Sequence, residues 1–103
     1  MSAAMSIDPL ALTRRVTLCN QSGLHARASN KFMKCVMAFD AEVTVTSHNE
    51  TCAETVIAES VMELLLLGAA CGEDITIAVT GPQAPQALEA LAALVASRFG
   101  EDV

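Results

Sequence analysis

Two residues of the kind that carry group-transfer chemistry stand close together, an imidazole at His25 and a guanidinium at Arg27. They lie where Asn20-Gln21-Ser22-Gly23 ends an alternating stretch and helical periodicity begins, so His25 reads as the cap of a helix. The first backbone N–H groups of such a helix, those of Ala26 and Arg27, have no intrahelical acceptor and make a place for an anion. The positive end of the helix dipole disfavours an imidazolium there, which leaves a neutral, nucleophilic ring beside the anion. Arg27 adds a fork of donors that matches phosphate oxygens. The chemistry that suits this set is a transient phosphoryl group on a ring nitrogen. A His-x-Arg at a helix start also occurs with no chemistry attached, and no obvious second base or metal cluster accompanies this one.

The elements that must position these residues follow in chain order. Residues 1–12 have no clear period and read as a loose extension; residues 13–103 read as one domain. Residues 13–19 alternate, with Val16 and Leu18 against Thr17 and Cys19, and form a strand that delivers His25 to the surface. Residues 26–38 place Ser29, Phe32, Met33, Val36 and Met37 on one helical face, with Asn30, Lys31 and Lys34 opposite. Residues 41–46 alternate as a second strand, Ser47-His48-Asn49 reads as a hairpin turn, and residues 51–57 as a weaker third strand. A short helix starts at Ser60, capped by Ser60 or Glu59, and ends near Gly68. Its apolar surface runs all round, so part of Val61, Met62, Leu65 or Leu66 is expected to remain as an exposed docking patch; cover by neighbouring loops is the alternative. Residues 73–80 form a fourth strand. A last helix spans residues 83–99 with Ala84, Leu88, Leu91, Val95 and Phe99 inward, closed by Gly100. The order β-α-β-β-α-β-α, with strands that have one polar face, implies an α/β (α+β) open-faced sandwich with helices on one side only.

Composition narrows the function. The chain has 103 residues and a net charge of −6, which argues against nucleic acid and anionic membrane surfaces. No apolar run is long enough to span a bilayer and residues 1–11 lack the pattern of a signal peptide, so a cytoplasmic protein without membrane insertion is expected. Cys19, Cys35, Cys52 and Cys71 have neither zinc nor redox spacing and read as small buried hydrophobes of a reducing compartment; no metal and no cofactor is expected. His48, among turn residues, reads as an exposed histidine with no role. Half of the 6 basic residues, Arg27, Lys31 and Lys34, fall in one window, and no acid lies between Asp8 and Asp40. That is either a solvated helix face or a positive patch for acidic partner surfaces, and the adjacent His25 favours the patch.

Gly23-Leu24-His25-Ala26-Arg27 followed by a Phe-containing amphipathic helix, and then Glu59-Ser60-Val61-Met62-Glu63-Leu64-Leu65-Leu66-Leu67-Gly68, resembles the histidine-containing phosphocarrier (HPr) family of the phosphoenolpyruvate-dependent phosphotransferase system. The likeness runs from about residue 13 to 101. It implies a four-stranded antiparallel sheet covered by three helices. It also implies His25 as the phosphorylated residue, with attachment at Nδ1, Arg27 as the phosphate-binding arginine, and Ser60 as the serine that a regulatory kinase modifies in some members. The implied partners are Enzyme I as donor, a IIA-type carrier as acceptor, and a serine kinase/phosphorylase acting on Ser60; a monomer is expected. Such a protein is a stoichiometric carrier rather than an enzyme, in sugar uptake or in a nitrogen-related regulatory branch. Three departures stand out: Ala28 in place of the proline of many members, extra length around residues 49–55, and acidic Glu59 and Glu63 beside Ser60. The alternative function is a non-catalytic regulatory module that binds proteins through the second helix and retains a vestigial histidine.

Overall fold

The computed structural model describes residues 11–48 and 55–101. Within them the chain runs β1 (Leu12–Thr17), α1 (Ala26–Met37), β2 (Glu42–Ser47), β3 (Thr55–Ile57), α2 (Val61–Leu67), β4 (Asp74–Thr80) and α3 (Ala84–Ala96), ending in a short turn, Arg98–Gly100. The strands form one antiparallel sheet in the order β1-β4-β2-β3. Alternation sets its two faces: Val43 and Val45 of β2 are buried opposite Val79 and Ile77 of β4, while Thr44 and Thr46 face the other way beside Ala78 and Thr76. All three helices pack on the apolar face, α3 over β1 and β4, α2 against β3, and α1 against both other helices. Phe32, Leu64, Leu91 and Phe99 close the core over Ile75 and Ile77. This is the open-faced sandwich with a four-stranded antiparallel sheet and three helices.

Several local expectations need correction. The first strand stops at Thr17, and Leu18, although fully buried, belongs to the following segment. Of the hairpin turn expected at Ser47-His48-Asn49, Ser47 instead ends β2, and Asn49 lies outside the described residues, as do residues 51–54 of the expected third strand. The buried stripe of α1 is Ala28, Ser29, Phe32 and Val36, and Met37, at the end of the helix, is 62% exposed. The last helix ends at Ala96, short of Phe99, because Arg98 and Phe99 turn left-handed, with φ of 57° and 56°. Phe99 is still buried, but it reaches the core from that turn rather than from the helical stripe.

The cysteines are not the buried set expected. Cys19 and Cys71 are exposed and Cys35 is half-buried, whereas Cys52 lies outside the described residues. Cys19 falls on the outward side of the alternation and Cys71 in the turn before β4, so neither reaches the core. His48 is half-buried rather than free. Its Nε2 lies 2.6 Å from Thr76 Oγ1 and its backbone N–H donates to the Asp74 carbonyl, which makes it part of the polar face of the sheet. Among the described residues no helix is long and apolar enough to cross a membrane.

Candidate functional site

Two turns set the position of His25. Gly23 lies at a φ of +59°, and a Cβ added there would come 2.5 Å from the Ala69 carbonyl oxygen and 2.8 Å from Ala70 Cα. The next residue, Leu24, donates its N–H to that same Ala69 carbonyl at 3.0 Å. The segment before α1 is therefore pressed against the segment after α2, an approach that only glycine permits. His25 then caps α1 in an extended conformation, with φ −75° and ψ −178°, and Ser29 fastens the first turn by donating its backbone N–H to the His25 carbonyl.

The imidazole is held at both nitrogens. Arg27 donates its backbone N–H to Nδ1 at 3.2 Å, and Nε2 stands 2.6 Å from Oε2 of Glu101. An amide N–H can only donate, so Nδ1 carries no proton and Nε2–H donates to the carboxylate. The ring thus presents the lone pair of Nδ1, and its Nε2 side is fixed by a short, charge-assisted hydrogen bond. The His25 side chain is 31% exposed and that of Glu101 15%, so the ring is open to a partner while its anchor is largely covered.

Asn20 completes this inner layer. Fully buried, it donates from Nδ2 both to the Gly23 carbonyl at 2.7 Å and to Glu101 Oε1 at 3.1 Å. Those two acceptors fix the orientation of its amide and leave Oδ1 buried without a hydrogen bond among the described residues, an arrangement that costs about 1 to 3 kcal/mol. The Glu101 carboxyl is held below the usual carboxylate range, first by the His25 hydrogen bond and then by Asn20, with the charges of His25 and Lys31 adding and partial desolvation opposing.

The structure redistributes the other predicted residues. Of the two expected free amides, that of Arg27 is engaged by Nδ1, and that of Ala26 lacks an intrahelical acceptor. The Arg27 guanidinium is exposed and, among the described residues, has no carboxylate partner; the same holds for Lys34. Lys31 is not on the free face. It is half-buried and donates from Nζ to the Phe99 carbonyl at 2.5 Å. Ser60 is the cap of α2, accepting the Glu63 N–H at 3.3 Å, which settles the choice against Glu59. On α2, Leu64 and Leu67 are buried and Val61 half-buried, whereas Met62, Leu65 and Leu66 are exposed, Met62 and Leu66 at 64% and 68%. Glu101 and Asn20 were not anticipated. Asn20 carried the weaker signal of a turn residue shortly before the histidine, whereas Glu101 is 76 positions from His25 and carried none.

Comparison with known proteins agrees with this architecture. Residues 12–97 match the model of the family described as PTS HPr component phosphorylation site. The chain is 41% identical to the phosphocarrier protein NPr of Shewanella violacea over 90 residues, 87% of this chain and 94% of that protein. It is 40% identical to the phosphocarrier protein NPr of Escherichia coli over 93 residues, 90% of this chain and all of that protein. The crystal structure of HPr-C-His from Thermoanaerobacter tengcongensis superposes with a TM-score of 0.80 at 27% identity, covering 89% of this chain and 99% of that one. Family model, relatives and fold agree: the chain belongs to the HPr family and is an HPr/NPr-type phosphocarrier of the phosphotransferase system, a carrier of phosphoryl groups rather than a catalyst.

Proposed function

We propose that the phosphoryl group is carried on Nδ1 of His25, received from Enzyme I and passed to a IIA-type carrier. The observation that supports this most is the pair of contacts on the ring: an amide donor at Nδ1 and a carboxylate at Nε2. In the acceptance step the Nδ1 lone pair attacks phosphorus, the N–P bond of the donor's phosphohistidine breaks, and an N–P bond to His25 forms. No proton has to leave Nδ1, because it holds none. The ring gains positive charge as the bond forms, and the Glu101 carboxylate on Nε2–H offsets it. The Arg27 N–H, displaced from the lone pair, then meets a phosphoryl oxygen at the positive end of α1, and the Arg27 guanidinium can swing in from solvent to bind the remaining oxygens. Release to the next carrier is the same path reversed.

Docking is assigned to exposed residues of α2 and α1: the apolar Met62 and Leu65, with half-buried Val61 at their margin, and Lys34, which has no carboxylate partner among the described residues. A kinase acting on Ser60 would add charge at this surface. The test is incubation with labelled phosphoenolpyruvate and Enzyme I. Wild type should take up one acid-labile, alkali-stable phosphoryl group per chain and His25→Ala none; undiminished labelling of His25→Ala would rule out the site.

A further inference from the structure

The anchor of His25 is itself suspended from the far end of the chain. Arg98, Phe99 and Gly100 form three successive left-handed residues, with φ of 57°, 56° and 74°. For an arginine and a bulky aromatic this is an uncommon conformation that surroundings must enforce. Two contacts tie it to the body of the domain. The Phe99 ring is buried in the core, 1% exposed, and the Phe99 carbonyl accepts from Lys31 Nζ at 2.5 Å. The turn is closed by the Gly100 N–H on the Ser97 carbonyl and the Glu101 N–H on the Arg98 carbonyl, and the next side chain along is Glu101, directed onto His25 Nε2. Lys31 stands on α1, the helix that His25 caps, so one rigid element carries both the reacting ring and the clamp on the turn that supports it.

We propose that Lys31 is a positioning residue: by clamping the Phe99 carbonyl it holds the Arg98–Gly100 turn, and thereby keeps Glu101 on Nε2 of His25 so that Nδ1 stays free of its proton and aligned for phosphoryl transfer. This replaces the docking role expected for Lys31 from the charge pattern, and it rests on the reading of His25 as the phosphoryl carrier. Among the described residues, the titratable groups facing Glu101 are His25 and Lys31, and Asn20 is the further polar contact. Loss of Lys31 removes the donor on the Phe99 carbonyl and with it the tie between the left-handed turn and α1, so Glu101 is held on the ring less firmly.

The experiment compares wild type with Lys31→Met, Lys31→Arg and Lys34→Met, melting curves confirming that each is folded. Nitrogen NMR of the imidazole, in the absence of any phosphoryl donor, reports which ring nitrogen is protonated. In wild type and Lys34→Met the Nε2–H form should dominate; in Lys31→Met a distinct Nδ1–H population should appear, and Lys31→Arg, which retains a donor for the carbonyl, should reverse much of that change. In transfer from Enzyme I, Lys31→Met should lower kcat about tenfold, short of the roughly 100-fold that a 1 Å misplacement of a reacting group can cost, with KM little changed. Lys34→Met should raise KM instead. A Lys31→Met protein with the wild-type tautomer pattern, or one whose defect is entirely in KM like that of Lys34→Met, overturns the proposal. If wild type itself takes no phosphoryl group, the carrier reading fails while the tautomer comparison still decides the role of Lys31.

Discussion

At the scale of single residues, the proposed site divides one imidazole between two partners of opposite character. A backbone amide marks Nδ1 as the bare nitrogen and a carboxylate marks Nε2 as the protonated one. The histidine and arginine are legible from the motif, since both are local to one helix start. The carboxylate is not, because nothing in a local pattern connects Glu101 to a residue 76 positions away. In the proposed mechanism Arg27 acts from outside this frame. Its guanidinium is exposed, so on this reading it would contribute only when phosphate oxygens arrive, through a two-pronged contact that a single ammonium cannot reproduce. Arg27→Lys should therefore keep its melting temperature and lose at least about tenfold in transfer rate, corresponding to about 1.4 kcal/mol of transition-state stabilisation. A wild-type rate in rapid-quench transfer kinetics would remove Arg27 from the chemistry.

At the scale of elements, periodicity foretold the strands and helices where one face is buried, and misjudged their ends. Val43, Val45, Ile75 and Ile77 alternate because β2 and β4 are interior strands with one apolar face. The end of α3 misled because Phe99 falls in helical phase with Val95, yet is buried from a left-handed turn for which Arg98 and Phe99 give no composition signal. Lys31 misled in the opposite way: its phase puts it beside polar neighbours, but the turn after α3 folds back over it. The second helix was read more fully, because Ser60 and Glu63 have capping spacing and a short helix cannot bury every leucine. Ser60→Ala should lose about 1 kcal/mol of stability with its cap, measured by chemical denaturation, and accept phosphoryl groups at a near-normal rate. Ser60→Asp can still cap the helix and should hold its stability, while its charge beside exposed Met62 and Leu65 slows acceptance from Enzyme I. Equal rates in wild type and both variants would remove any regulatory role for Ser60.

At the scale of the whole molecule, the sheet divides the labour. One face buries the core, and the other is polar, with Asp74 on β4 bonded to side chains of β1. Asp74 accepts from the Thr17 hydroxyl at 2.5 Å and pairs with Arg15 at 2.8 Å. The Thr17 hydrogen bond first, and Arg15 after it, hold its carboxyl below the usual carboxylate range, with the His48 charge adding a little. A carboxyl whose folded-state pKa is lowered stabilises the fold fully above its unfolded-state value and loses that contribution as pH falls through the folded-state value. Asp74→Asn should therefore be less stable than wild type near neutral pH, and the difference should shrink steadily as the medium is acidified below the ordinary carboxylate range. Denaturation midpoints taken down that range check the sign; a difference that grows on acidification would contradict the assigned contacts. Separate carboxylates thus contact the polar face of the sheet and the His25 ring, Asp74 the former and Glu101 the latter.

The central claim is that Nδ1 of His25 is the atom that carries the phosphoryl group. It is tested most directly by phosphorylating the nitrogen-labelled chain with Enzyme I and phosphoenolpyruvate and reading the nitrogen–phosphorus coupling by NMR under alkaline conditions. The predicted result is a single phosphorus resonance coupled to the ring nitrogen nearest the Arg27 amide, with Nε2 still protonated against Glu101. Coupling through Nε2, or to His48, or a phosphorus signal with no coupling to nitrogen would contradict it.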